Sequence, residues 1–295
     1  MNKKFIAAAV QHHCTQDYEQ NLARSLEGIH AVAKMRAEVI LLPELNCLPY
    51  FCAREEVRCF DLAEPIPGPT TETLSMVCKE KKIIVITTVF EKRSKGIYHN
   101  TAVVIDKDGK IAGTYQKMHI PDDPGFYEKF YFTPGDQGFL PIQTSIGKLG
   151  VLICWDQWFP EAARLMALAG AECLFYPSAI GWDPNDDEDE KIRQRNAWVT
   201  IQKSHAIANN LPVIVSNRVG PEAPPVDSTT ATEFWGSSFI AGQQGEILAK
   251  APIDKSANII AEIDTDRTDT VRRIWPYFRD RRIDAYHDIV KRHIE

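Results

Sequence analysis

No stretch of this 295-residue chain approaches the roughly 20 consecutive apolar residues that a membrane-spanning helix needs. The apolar run behind Lys3-Lys4, Phe5 to Val10, is too short for a secretory h-region and is expected to be a first strand. A basic excess is missing too. Lys and Arg number 34 against 40 Asp and Glu, a formal charge of −6, which argues against a general nucleic-acid binder. None of the seven cysteines stands in C-x-x-C spacing, and the cluster Cys47, Cys52, Cys59 does not fit the paired ligands of a zinc site. An odd number of scattered cysteines without an export signal implies reduced thiols and a cytoplasmic protein. No G-x-G-x-x-G follows the first strand, so a dinucleotide-binding fold is not supported. No low-complexity linker divides the chain, and a single domain over 1–295 is expected, with 265–295 as a charged and aromatic tail that packs on another surface.

What is present is an alternation of strand-like and helical runs, with 44% hydrophobic residues to fill a core. After the strand at 4–10, Leu22, Leu26, Ile29 and Val32 form a helical stripe within Asp17–Arg36. EVILLPEL reads as a short buried strand, Pro69 opens a helix, and IIVITTVF is a strand. IYHNTAVVID and KIAGTYQK are joined by KDG, a hairpin signal. IQTS and KLGVLIC pair across Ile146-Gly147, and helices follow at Pro160–Ala169 and Glu190–Asn210 around the strand ECLFYPSA. PVIVSNRV, then FWGSSFIAG with EILAKAP as a hairpin, and NIIAEID complete the strands. The pattern predicts an α/β protein of two similar strand-helix halves, sheets inside and helices outside.

Three reactive residues fall at the C-terminal ends of predicted strands, where α/β proteins build sites: Glu44, Lys117 and Cys154. Singly, each has a structural explanation: a surface acid, a solvated strand end, a small core thiol. Together they supply a base, a fixed positive charge and a nucleophile. Cys154 stands out among the cysteines, because Pro160 marks a helix start close behind it. That helix end and a nearby ammonium are expected to lower its pKa. Cys78 and Cys173 sit where core packing explains them, and Cys14, Cys47, Cys52 and Cys59 lie near loops.

The sequences LLPEL, YQKMHI and GVLICWDQWFPEAARLMALAGAE resemble, in order, the three signature blocks of the nitrilase superfamily of carbon–nitrogen hydrolases. FWGSSFIAGQQGEI and FRDRR extend the likeness to the C-terminal part. The resemblance implies a four-layer α-β-β-α sandwich that assembles as a dimer or larger homo-oligomer. It also implies roles: Cys154 as nucleophile, Glu44 as general base, Lys117 as oxyanion stabiliser with a backbone N–H near Trp155, and Glu128 as a second glutamate beside them. No metal or organic cofactor is implied.

Members of the superfamily act on nitriles, aliphatic amides, ω-amides, N-carbamoyl amines or N-carbamoyl amino acids. Those that bind N-carbamoyl D-amino acids tend to carry arginines just after the nucleophile, suited to a carboxylate. Here Gln157 and Trp158 stand there. Six acids crowd Asp183–Glu190. Such a run is commonly a solvated loop, but at the mouth of a site it would steer in a cation. The blocks KMHIPDDPGFYEKFYFTPGD, PSAIGW and SNRVG resemble members whose substrate is a small cationic N-carbamoyl amine. Candidate substrate-binding residues are Tyr50, Phe130, Trp155, Asp156, Ser178, Trp182 and Trp235. For any one of the aromatics, a place in the core is the more ordinary explanation. Asp156 could anchor the turn after Cys154, and His119, on the same strand face as Lys117, could orient the site or satisfy a core hydrogen bond.

Rival readings are another amidase of the superfamily, of ω-amidase or β-ureidopropionase type, and a non-catalytic interaction protein on the same fold. A thiol redox protein lacks its resolving cysteine, since none lies near Cys154.

Overall fold

The computed structural model describes residues 4–183, 185–223 and 232–295. The first half of the chain runs β1 (Lys4–Gln11), α1 (Tyr18–Lys34), β2 (Val39–Leu41), α2 (Pro69–Lys81), β3 (Ile84–Ser94), β4 (Ile97–Ile105) and β5 (Ile111–Gln116). The second runs β6 (Ile142–Thr144), β7 (Gly147–Val151), α3 (Pro160–Leu168), β8 (Cys173–Ser178), β9 (Gly181–Trp182), α4 (Glu188–Asn209) and β10 (Val213–Asn217). It continues through β11 (Val219–Glu222), β12 (Thr232–Trp235), β13 (Phe239–Ala241), β14 (Ile247–Lys250), β15 (Ala257–Asp264) and α5 (Thr265–Ile274). Two six-stranded mixed sheets result, ordered β15-β1-β2-β3-β4-β5 and β14-β13-β10-β8-β7-β6.

The period-2 alternation of the strands sorts their side chains between two layers. Ala7, Ala9, Val39, Leu41, Ile84 and Ile86 face the second sheet and share a core with Val151, Phe175 and Val215. The residues between them, Ala8, Val10, Ile40 and Val85, pack under Ile29 and Val32 of α1 and Leu74 and Cys78 of α2. On the far side Ala162 and Met166 of α3 and Trp198 and Ala206 of α4 cover the second sheet. The layers are α-β-β-α, as expected.

Local chemistry explains the element ends. Asp17 caps α1 by accepting the Gln20 N–H at 3.0 Å, and Gly109, at φ +81°, allows the tight turn between β4 and β5. Asp187 caps α4, accepting the Glu190 N–H at 2.7 Å, and Glu188, Asp189 and Glu190 occupy its first turn. Four of the six acids are therefore helix-terminus chemistry, where negative charge is favoured. Residue 184, inside that run, lies outside the described residues.

One expected strand is divided. FWGSSFIAG is not continuous: Phe234 and Trp235 end β12, the chain turns at Gly236 (φ +48°) and Ser237 (φ +58°), and Phe239 starts β13. Two consecutive residues in the left-handed region cannot continue a strand. Strand β12 instead joins β11 and β9 in a small third sheet, which carries Trp182 and Trp235 to one end of the sandwich.

Candidate active site

Lys117 immediately follows β5, while Glu44 and Cys154 each lie three residues beyond their strands, since β2 ends at Leu41 and β7 at Val151. The three residues converge in the interior. Lys117 Nζ donates to Glu44 Oε1 at 2.7 Å and to Glu128 Oε2 at 2.6 Å. Glu128 comes from a single 3₁₀ turn, and its Oε1 accepts the Tyr50 hydroxyl at 2.9 Å. Glu44 Oε1 also accepts from Asn100 Nδ2 at 2.7 Å, whereas its Oε2 is buried with no hydrogen-bond partner among the described residues. Glu44 thus keeps one oxygen uncommitted. An ammonium has three donors, so two bonds to carboxylates leave Lys117 one for an oxyanion.

The charges of Glu44, Lys117 and Glu128 all act on the Cys154 thiol, which makes the four one cluster. The expected lowering of the thiol pKa is not what the structure gives. Burial first, and the Glu44 carboxylate second, hold Cys154 well above the ordinary thiol value, and Lys117 opposes them without prevailing. The physical reason is that Lys117's charge is already shared between two carboxylates. Nor does α3 begin beside the sulfur: a 3₁₀ turn, Cys154–Trp158, intervenes before Pro160. A protonated thiol needs a base, which is the chemistry Glu44 can supply. Glu128 is likewise pushed up, to about 7, by burial, with Lys117 pulling against it. For Lys117, burial lowers the pKa but Glu128 and Glu44 outweigh it and hold it well above the usual lysine value.

Cys154 sits at φ +42°, a left-handed conformation that a non-glycine residue keeps only when its surroundings hold it. Asp156 is the holder. Its Oδ2 accepts the Ile153 N–H at 2.9 Å and the Tyr115 hydroxyl at 2.8 Å; its Oδ1 accepts the His119 N–H at 3.0 Å and Nδ1 at 2.7 Å. The His119 ring in turn stacks on Phe159 at 3.7 Å. Asp156 is fully buried with both oxygens engaged, so it anchors the turn and does not face a ligand.

A cavity of about 510 Å³ opens onto Cys154 and Glu128. Trp155 and Trp235 line it, as do Phe126 and Trp158, which the sequence did not single out as ligand-facing. The other aromatic candidates do not line it: Tyr50 is buried against Glu128, Trp182 packs on Trp235 at 5.5 Å, and Phe130, exposed at the surface, packs on Phe60 at 5.8 Å. Ser178 is buried and donates to Gln157 Oε1 at 3.3 Å. Gln157 itself is inward-facing, accepting from Trp198 Nε1 at 2.8 Å. The acidic run does reach the cavity: Asp183, Asp186 and Glu190 contribute to its wall, with Asp123. Arg193 lines it too, its guanidinium bound to Glu190 at 2.8 Å. Asn100 was missed in the sequence; it stands between His99 and Thr101 in the strand IYHNTAVVI, where nothing sets it apart.

Glutamate, lysine and a strained cysteine in this sandwich define a carbon–nitrogen hydrolase. The carbon-nitrogen hydrolase family model matches residues 6–273, and the chain belongs to that family. It is a hydrolase of carbon–nitrogen bonds other than peptide bonds. The chain is 42% identical to an N-carbamoylputrescine amidase of Solanum lycopersicum, over 97% of this chain and 94% of that one. It is also 42% identical to a citrullinase of Francisella tularensis, over 97% of this chain and 98% of the relative. Among solved structures, a carbon-nitrogen hydrolase from Helicobacter pylori G27 superposes with a TM-score of 0.95 at 51% identity, covering 99% of this chain and all of that one.

Proposed function

We propose that this enzyme hydrolyses N-carbamoylputrescine to putrescine, ammonia and carbon dioxide, a step of putrescine biosynthesis. The observation that carries the reading is the cavity wall: the carboxylates of Asp183, Asp186 and Glu190 share one cavity with Cys154 and Glu128. A ureido group at the thiol leaves the substrate's far ammonium in a field of acids, while the four-carbon chain lies along Trp155 and Trp235. The names of the plant relatives agree with this.

In the mechanism, Glu44 takes the thiol proton as Cys154 attacks the ureido carbon. The free N–H of Lys117 meets the developing oxyanion. Collapse breaks one carbon–nitrogen bond, and the departing nitrogen receives the proton from Glu44. A water deprotonated by Glu44 then attacks the carbonyl carbon of the S-carbamoyl (thiocarbamate) intermediate and frees Cys154, which takes back the proton. The resulting carbamic acid loses carbon dioxide and releases the second nitrogen, so one water is consumed whichever nitrogen leaves first.

A second reading is favoured by Arg193. Citrulline has the same ureido group but ends in an ammonium and a carboxylate, and Arg193 is a cation in the wall. Its pairing with Glu190 at 2.8 Å offsets that charge, which favours the diamine-derived substrate. The test is ammonia release from N-carbamoylputrescine beside citrulline, N-carbamoyl-β-alanine, a neutral aliphatic amide and a nitrile. Clear preference for the first is expected; preference for another keeps the Cys154 chemistry and overturns the substrate.

The enzyme is further proposed to be cytoplasmic, a single catalytic domain and a homo-oligomer. Support for the location is seven free cysteines, together with the lack of any helix among the described residues long and apolar enough to cross a membrane. Support for the assembly is the segment 265–295, whose Ile274, Ile283 and Val290 are 70–87% exposed, a pattern that a partner's surface would cover.

A further inference from the structure

We infer that Arg218 is a positioning residue for the catalytic carboxylates, setting Glu44 directly and Glu128 through Tyr50. The inference rests on the reading of Glu44 as the base and concerns how that base is held.

Arg218 directly follows β10 and is wholly buried. Its Nε donates to the main-chain carbonyl of Glu44 at 3.0 Å, and its Nη2 donates to the next carbonyl, that of Leu45, at 2.5 Å. Leu45 stands at φ +50°, so the backbone beside the base is in a conformation that needs holding. The third arm of the guanidinium, Nη1, donates to Glu222 Oε2 at 2.6 Å. Glu222 then accepts the main-chain N–H of Tyr50 at 3.2 Å on Oε2 and that of Cys14 at 3.2 Å on Oε1. The guanidinium also lies 5.9 Å from the centre of the Tyr50 ring.

The Arg218–Glu222 pair therefore grips both ends of the segment Glu44–Tyr50. One end carries the base. The other carries the hydroxyl that hydrogen-bonds Glu128, and Lys117 lies between the two carboxylates. A planar fork suits this task, because it fixes two successive carbonyls and a carboxylate at once, where an ammonium acts as a point charge. Stability alone is a weak explanation, since a buried ion pair is often no better than an apolar pair of the same size.

Arg218→Met leaves Glu222 buried without its cation and is expected to be unstable. Arg218→Lys keeps the charge and loses the fork, and it is the informative variant. Two quantities are measured: kcat and KM with N-carbamoylputrescine, normalised to thiols titrated at Cys154, and the rate of Cys154 alkylation by iodoacetamide at neutral pH. The expected result is a kcat lower by about tenfold or more with KM changed less than about threefold, the signature of an interaction needed in the transition state. Alkylation should slow as well, because it too requires removal of the thiol proton.

A kcat per titrated site within about twofold of the parent overturns the inference. So does a lower kcat with unchanged alkylation, and so does an Arg218→Lys protein that fails to fold, since each assigns the residue a purely structural part. Iodoacetamide carries no ammonium, so the alkylation result stands even if the substrate proves to be another. Failure of the substrate reading and failure of this one are thereby separable.

Discussion

Lys117 Nζ lies 2.6 Å from Glu128 Oε2, with both side chains out of contact with solvent. Because Glu44 binds the same ammonium, one positive charge serves two carboxylates, and the pKa of Glu128 rises from 4.5 to about 7, chiefly by burial. A carboxyl with a raised folded pKa holds its proton where the unfolded chain has lost it. Its contribution to stability is present below about 4.5 and is lost as pH rises through about 7. Glu128→Gln should flatten that dependence. Thermal melts of both proteins across this window should show the parent losing stability relative to the variant as pH rises; parallel curves would contradict it.

Removing the ammonium is a different matter. Lys117→Met leaves Glu44 and Glu128 buried without a cation, a loss typically of about 3–5 kcal/mol. Turnover should vanish with it. Denaturant unfolding of the variant checks the first part; a midpoint equal to the parent's would mean the carboxylates had taken up protons at no cost.

Cys154→Ala should abolish ammonia release and leave the melting temperature close to the parent's, because the residue is small and its long contact, 3.9 Å to the Ala179 carbonyl, is weak. The parent's alkylation should rise steeply toward alkaline pH, following a thiol held above its ordinary pKa by burial. A thiol already ionised near pH 6 would reinstate the helix-terminus picture.

Neutralising the wall tests the substrate. Asp186→Asn with Glu190→Gln should raise KM for N-carbamoylputrescine several-fold, of order 1 kcal/mol for partly solvated charges, and leave a neutral amide nearly unaffected. Added salt should mimic the change. Equal effects on both substrates would reduce the acids to their other tasks, Glu190 in the first turn of α4 and Asp186 as the acceptor of the Gln194 side chain.

The sequence made the layers legible because its apolar periodicities were long and its turns carried glycine or aspartate. It also brought forward Glu44, Lys117 and Cys154, since reactive side chains at strand ends have few structural reasons to be there. What it could not supply was environment. The direction of the Cys154 shift depends first on its burial and then on the Glu44 carboxylate, against which Lys117 does not prevail, and none of these can be read from the residue's neighbours in sequence. Asp156, in the turn that begins at Cys154, and Ser178, at the end of β8, turn their side chains inward, to Ile153 and His119 and to Gln157. Arg218 and Glu222 sit far along the chain from Glu44, whose main-chain carbonyl Arg218 binds, and no local pattern links them to it. The break of FWGSSFIAG at Gly236-Ser237 depends on backbone torsions that the residue types permit but do not require.

Under the base lies a buried polar layer that should set the enzyme's acid limit. His12 is buried, with Nδ1 donating to the His13 carbonyl at 3.0 Å and Nε2 at 3.0 Å from the Ser25 hydroxyl. Ser25 accepts from Asn46 Nδ2 at 2.9 Å, two residues beyond Glu44. Burial lowers the His12 pKa from 6.5 to about 4. The unfolded chain therefore binds a proton that the folded one refuses between those values, and stability is lost as pH falls from about 6.5 toward about 4. The difference amounts to roughly 3 kcal/mol as an order of magnitude. His12→Asn keeps a donor for the His13 carbonyl and cannot titrate. It should be less stable than the parent at pH 7.5 yet lose less on acidification, so that melting curves taken at pH 7.5 and pH 5 draw together. A constant gap at both values would show that the folded chain protonates His12 as readily as the unfolded one and that the acid limit lies with other groups.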